Sequence, residues 1–256
     1  CSAPGDETAA PESQSAEWKP FDLGPFHRSV STEVSDAQLA FDQGLVWAYA
    51  FNHDEAQLAF EEAARRDPSL AMAHWGVAYV NGPHINNSAM SDKQIETAWT
   101  AIETARALAE GASPVEQALI EALGARYASP QPLERRPLDE AYAAAMKAVY
   151  ERFPEDADVA TLYADSLLNL SPWNQWDLDG NPKEGTLEIL DVLEHAIELD
   201  GRHPGALHLW IHSFEASSTP ERALEAANVL RTLVPDASHL LHMPAHIDAR
   251  VGNWQA

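Results

Sequence analysis

Cysteine, positive charge and long apolar segments are all scarce in this sequence of 256 residues. It has a single cysteine, which excludes an internal disulfide and any zinc site built from several thiolates. Only 16 lysine and arginine residues stand against 40 acidic residues, so the formal net charge is −24. A surface this acidic repels nucleic acid and anionic membranes. No apolar run reaches the roughly 18 residues of a transmembrane helix, and no Ser-His-Asp, phosphate-loop or dinucleotide motif is present.

The sequence begins at Cys1, and the segment 2–16 that follows is rich in small and polar residues without an aromatic. Such a segment buries too little apolar surface to offset its ordering entropy, so we expect residues 1–17 to form a flexible tether. The start resembles the mature end of a bacterial lipoprotein, whose first cysteine carries a lipid. This resemblance implies an exported protein of the cell envelope, surface or extracellular space, attached to a membrane only through a lipid on Cys1. A chain boundary that falls at a cysteine by chance is the alternative.

After residue 35 the sequence is almost entirely amphipathic helical pattern, and one stretch has a recognisable spacing. Gly44 is followed at offsets of 12, 16, 19 and 24 by a small residue, an aromatic, a small residue and a proline, which are Ala56, Phe60, Ala63 and Pro68. This stretch resembles one tetratricopeptide repeat (TPR). Small residues let two helices approach, the aromatic ring fills the space between them, and proline ends the second helix.

The TPR resemblance implies an all-α fold, a right-handed α-solenoid of about six helical hairpins, with a single domain over 18–256. First helices would line a concave inner groove and second helices the outer face. The residues 81–87 insert a loop into the second unit, and the turn at Gly252-Asn253 leaves the last hairpin incomplete. We therefore expect either a longer chain or a second subunit that covers this end, which would stack subunits head to tail as a homo-oligomer or a filament.

Six of the 11 histidines lie in the last 54 residues, and their spacing is regular. Histidines four positions apart share one face of a helix, and two such pairs take matching positions in adjacent repeats. The TPR register places all of them on the inner groove. Imidazole pairs with a nearby carboxylate are a common site for zinc or copper. The candidate ligands are His208, His212, His239, His242, His246 and Glu215, arranged as one closed site or as two metal sites. Structural or solvated histidines are the alternative.

Three further segments carry candidate ligand residues. His53 lies at the turn between two helices, where it either belongs to a site or simply caps the hairpin. The inserted loop with His84 and Asn86 would close over the groove if the solenoid curls far enough. The loop 171–182 contains Trp173 and Trp176, which either stack on a ligand or pin the loop to the solenoid. This loop also has alternating acidic and amide residues, typical of a calcium site, although its glycine stands at the wrong place for an EF-hand.

These patterns favour an exported TPR-type binding or scaffold protein with a histidine-rich transition-metal site. The alternatives are a self-assembling structural protein without a metal, and a metal-dependent enzyme that uses the same site. A protein or peptide partner in the concave groove would be the usual ligand of a TPR array. Because a fold does not determine a function, the sequence leaves the three hypotheses open.

Overall fold

The computed structural model describes residues 18–255, so the expected tether and the lipid on Cys1 lie outside the described part of the chain. This part is helical throughout, with β structure limited to two isolated bridges. No helix in it combines the length and the apolar character that a bilayer crossing requires. The helices are α1 Ser35–Tyr49, α2 His53–Arg66, α3 Ala71–Val80, α4 Asp92–Leu108, α5 Pro114–Gly124, α6 Arg136–Arg152, α7 Ala157–Leu168, α8 Thr186–Leu199, α9 Pro204–Glu215, α10 Leu224–Leu230, α11 Ser238–His242 and α12 Pro244–Val251, with short 3₁₀ turns at Ala109–Gly111 and Pro220–Ala223.

Consecutive helices pair as helical hairpins: α1 with α2, α3 with α4, α5 with α6, α7 with α8, and α9 with α10. Each hairpin packs against the next one along the chain. The helices α11 and α12 form a bent sixth first helix, broken at Met243 because Pro244 opens α12. The prediction of an all-α solenoid of TPR-like hairpins is therefore confirmed.

The aromatic residue of the first repeat locks two hairpins together. The ring of Phe60 in α2 is fully buried and lies between Gly44 of α1 and Gly76 of α3. A Cβ atom at Gly44 would stand 2.6 Å from this ring, and one at Gly76 would stand 2.4 Å from it. Both positions need glycine because the helices approach too closely for any side chain, which is the physical basis of the repeat spacing.

Side-chain caps determine where several helices begin. Ser91 and Ser113 each form a capping box, in which the serine accepts from a backbone N–H of the first turn and a Gln94 or Glu116 side chain bonds back. The helix α9 begins at Pro204 after His203, whose ring accepts from the backbone N–H of Ala206. These caps satisfy N–H groups that have no partner inside the helix.

The first helices are buried far more completely than the second ones, since nearly every residue of α1, α7 and α9 is inaccessible to solvent. The array curls until α9 contacts both α7 and α1. The open inner groove expected along the array is therefore filled in this region by the first helices themselves. Second helices such as α2 and α4 bury only one stripe and form the outer layer.

A buried ionic network holds this closure. Asp158 of α7 accepts hydrogen bonds from Arg28 at 2.9 Å, from the Tyr49 hydroxyl at 2.5 Å and from His203 at 3.0 Å. Its pKa is lowered, because Arg28 and His203 outweigh the burial that would otherwise raise it. His203 is buried, and its ring packs on Phe26 and Tyr49 in addition to its bond with Asp158.

Candidate metal centre

Three imidazoles from two elements meet at the C-terminal end of the array. His208 and His212 stand one turn apart on α9, and His239 reaches them from α11. Potential ligand nitrogens of the three rings all lie within 4.8 Å of one another, and the Nε2 atoms of His208 and His239 are 3.0 Å apart. Two nitrogens bound to one tetrahedral ion, each at about 2.0–2.1 Å, stand about 3.3 Å apart. The separation of His208 and His239 is therefore close to the spacing that a single metal ion needs, and His212 lies within 4.8 Å of both.

The backbone determines which nitrogen of His208 faces the triad. Its Nδ1 atom lies 2.6 Å from the carbonyl oxygen of Tyr49, at the end of α1. A carbonyl only accepts, so Nδ1 carries the proton and Nε2 presents its lone pair towards His239. Metal-bound histidines nearly always donate their second ring N–H to a carbonyl or carboxylate in this way.

His212 shows the same pattern with a side-chain acceptor. Its Nδ1 atom donates to the Glu215 carboxylate at 2.8 Å, which leaves Nε2 as a lone pair. This Nε2 atom is buried and has no hydrogen-bond partner among the described residues. An unpartnered buried acceptor costs about 1–3 kcal/mol, and a metal ion bound in the triad would satisfy it.

The remaining pair is closer to solvent. His246 donates from Nδ1 to the second oxygen of Glu215, and its Nε2 atom lies 2.9 Å from Nε2 of His242. Both oxygens of Glu215 are thus occupied by imidazoles. Glu215, which the sequence predicts as a ligand, accepts from both His212 and His246 in the structure and thereby orients the two rings.

Burial keeps several of these rings neutral, which is the form that binds metal. Burial and the neighbouring imidazoles lower the pKa of His208 well below its ordinary value, and they lower the pKa of His239 to about 4. The pKa of His242 is also lowered by burial and by His246. For Glu215, burial favours a raised pKa, but hydrogen bonds from His212 and His246 prevail and lower it.

A strained aromatic residue forms one wall of the centre. Phe51 stacks on His212, with ring centroids 5.8 Å apart and planes within 11°, and its ring lies 4.5 Å from that of His208. Its φ is +54°, a conformation that bulky residues rarely adopt. Within the described chain, the other non-glycine residue with positive φ is Trp173, at +59°, and its ring meets the face of His212 edge-on. Strain of this kind concentrates at functional sites.

His53 and His84 lie together beside Phe51. Their ring centroids are 4.3 Å apart, and both rings contact Phe51. Burial lowers the pKa of His53 to about 3. Asn86, in contrast, is exposed in the turn that closes between His84 and Asn87. The inserted loop thus brings His84 to the cluster and leaves Asn86 in solvent.

The two tryptophans of the loop 171–182 have different roles. Trp176 donates to the Ser213 carbonyl at 2.8 Å and packs on Phe214, so it pins the loop to α9 and does not face the histidines. Trp173 is half exposed beside His212. The suspected calcium pattern closes a turn, because Asp177 accepts from the backbone of Asp179 and from Asn181.

Sequence reasoning missed Tyr49 and Phe51. Neither has a metal-ligating side chain, and both act through position: one by its backbone carbonyl, the other by its ring. The signal available was the turn Phe51-Asn52-His53, where an aromatic precedes a helix cap that accepts from Glu55. Without the curl of the array, nothing in the sequence places this turn beside α9.

No family model matches the sequence, and no curated protein is significantly similar to it. Among solved structures, the fold is similar to that of YrrB, described as a TPR protein with an unusual peptide-binding site. The match has a TM-score of 0.38 and 16% sequence identity, and covers 81% of this chain and 91% of that one. A match at this level carries no argument about the fold or the function of this chain. The description of this chain as an α-solenoid of TPR-like hairpins rests on its own helix pairing and on Phe60 between its two glycines.

Proposed function

We propose that this protein is a TPR-like binding protein that holds a transition-metal ion, zinc or copper, in the triad His208, His212 and His239. One observation carries the proposal: three imidazoles lie within reach of one ion, and two of them have Nδ1 committed to an acceptor-only group. The unpartnered, buried Nε2 atom of His212 supports it. Imidazole is a common ligand of both zinc and copper, and the residues do not separate the two metals.

The acidic character of the chain agrees with a cationic ligand. A net charge of −24 raises the local concentration of cations near the surface. Neutral imidazoles with lowered pKa values do not repel a cation that approaches them, and protons compete with it only weakly at neutral pH.

The alternative for the triad is a set of metal-free histidines that bond to one another. Metal analysis separates the two hypotheses. The full chain, purified without an affinity tag that binds metal, would be stripped with a chelator, exposed to Zn²⁺ or Cu²⁺, and analysed by mass spectrometry. We expect a bound ion, and in crystals of the loaded protein an anomalous-difference peak between the three rings. His212→Gln, which keeps size and polarity, should reduce the affinity, whereas His195→Gln on the outer helix α8 should not. No bound metal above trace would refute the proposal.

A metal-dependent enzyme is the second candidate, because three protein nitrogens leave a coordination position open. Sites with three protein ligands and a water are typical of catalytic zinc. Hydrolysis of an activated ester by the zinc-loaded protein, lost in His212→Gln, would support this role. Export, lipidation at Cys1, a peptide partner and head-to-tail assembly stay predictions from the sequence.

A further inference from the structure

His242 and His246 form an imidazole pair outside the triad. They stand four residues apart at the junction of α11 and α12, and their Nε2 atoms are 2.9 Å apart. The Nδ1 atom of His246 donates its proton to Glu215, so the Nε2 atom presents a lone pair towards His242. This is the arrangement already described for His208 and His212 in the triad.

Glu215 connects the pair to the triad. One of its oxygens accepts from His212, which belongs to the triad, and the other accepts from His246, which belongs to the pair. A single carboxylate therefore orients one ligand of each group. The rings also continue without a gap, since the centroids of His239 and His242 are 5.6 Å apart and those of His212 and His246 are 6.0 Å apart.

Exposure differs between the two ends of this group of rings. His242 is exposed, His246 and His239 are partly buried, and His208 and His212 are buried. A cation that reaches the protein from solvent meets the pair before it meets the triad. Two nitrogens without a third close neighbour also hold an ion less firmly than three, because fewer ligands replace its water.

We propose that His242 and His246 form a second, exchangeable metal position through which an ion enters the buried triad. This inference depends on the proposed function, since it assumes that the triad binds metal. The ion is held first by the exposed pair. The next imidazole is His239, whose ring centroid lies 5.6 Å from that of His242, and His239 in turn contacts His208. The pair and the triad share Glu215, so loading one group orients a ligand of the other.

The test compares zinc binding by the full-length chain and by variants of the pair. His242→Ala removes one exposed imidazole without touching Glu215, and His242→Ala/His246→Ala removes the pair. The matched control is His74→Gln/His195→Gln, which deletes the same number of histidines on α3 and α8. Thermal unfolding of each variant checks the fold.

Zn²⁺ stoichiometry is measured by titration, and loading of chelator-stripped protein is followed by stopped flow with a zinc indicator.

We expect the wild type and the control to bind about two Zn²⁺ ions, one firmly and one weakly. Both pair variants should lose the weak ion, keep the firm one, and load it more slowly. If the variants keep the wild-type stoichiometry and loading rate, the entry position is wrong while the triad proposal stands. If the wild type binds a single ion and His242→Ala loads it as fast as the wild type does, the entry position is again wrong and the triad proposal again stands. If the wild type binds none, both proposals fail.

Discussion

The Nδ1 atom of His208 lies 2.6 Å from the backbone carbonyl oxygen of Tyr49, although 159 positions separate the two residues. Tyr49 is the last residue of α1, and the carbonyls of a helix end lack intrahelical partners. His208 supplies the missing donor and is thereby held in one tautomer. The contact joins the first hairpin to the fifth, so the closure of the array and the candidate metal centre depend on each other.

Glu215 should be necessary for firm metal binding although it is not itself placed as a ligand. Glu215→Gln removes the negative charge and leaves one acceptor oxygen for two imidazole N–H groups. Loss of such an orienting partner typically lowers metal affinity about 10–100-fold. Competition titration with a zinc chelator measures the change. Glu198→Gln, an exposed change on α8, is the control and should bind zinc as the wild type does. Equal affinities in all three proteins would exclude the orienting role.

Gly44 should not tolerate even a methyl group. In Gly44→Ala the new Cβ would stand 2.6 Å from the buried Phe60 ring, and overpacking of this kind costs about 1–3 kcal/mol. Urea unfolding followed by circular dichroism measures the loss in free energy of unfolding. The matched change is Gly111→Ala, where a Cβ meets nothing within 4 Å. We expect that variant to stay within about 0.5 kcal/mol of the wild type, and a similar loss in both variants would contradict the close helix approach.

Arg28 should be among the most sensitive charged residues of the chain. Arg28→Met leaves Asp158 buried without its cationic partner, and breaking a buried pair on one side costs about 3–5 kcal/mol. Neutralising both partners in Arg28→Met/Asp158→Asn should recover part of that loss. Arg65→Ala removes an exposed arginine whose partner Glu62 keeps a second ion pair with Arg66, so it should cost less than about 1 kcal/mol.

The free energies of unfolding for these closure variants come from denaturant titration. A single-variant loss no larger than that of Arg65→Ala would show that the network does not hold the array closed. Because His208 reaches Tyr49 across this closure, Arg28→Met should also weaken zinc binding in protein that is still folded.

His53 should make stability depend on pH in the acidic range. Its pKa falls from 6.5 to about 3 on folding, through burial, then His84 and Arg126, against a Val80 carbonyl that favours the protonated ring. Between these pH values the unfolded chain binds the proton more readily than the folded chain. The stability that neutral His53 contributes is therefore fully present above pH 6.5 and is lost as the pH falls towards 3.

Comparison with His53→Gln isolates this contribution. Between pH 7.5 and pH 5.5 the free energy of unfolding should fall in both metal-free proteins. The fall should be smaller in His53→Gln than in the wild type, by up to about 1.4 kcal/mol. Denaturant titrations at the two pH values measure it, with His195→Gln as the control substitution. Identical pH profiles for wild type and His53→Gln would mean that His53 is not kept neutral by the fold.

Much of the fold was predictable because it depends on local spacing. Gly44, Phe60 and Pro68 stand at intervals set by helix geometry, and the structure pairs their helices accordingly. The contact of α9 with α1 and α7 was not predictable, because no local pattern reports how tightly the hairpins curl.

The candidate site divides in the same way. The i, i+4 spacing placed His208 with His212 and His242 with His246, and these pairs are adjacent in the structure. The place of Glu215 among the ligands stays a prediction, since a carboxylate near histidines is equally suited to bind a metal or to accept their N–H groups. Only its contacts with His212 and His246 distinguish the two.

The sequence by itself determined the helical hairpins, the glycine and aromatic residues that interlock them, and the histidines that share a helix face. These follow from the 3.6-residue period, which acts within a single helix or between neighbouring ones. The tertiary structure alone decided that Tyr49 and Phe51 border the histidines, which ring nitrogens carry protons, and how deeply each imidazole is buried. The reason is cumulative: a small rotation at each repeat adds up over five hairpins, and that sum brings the first helix against the ninth.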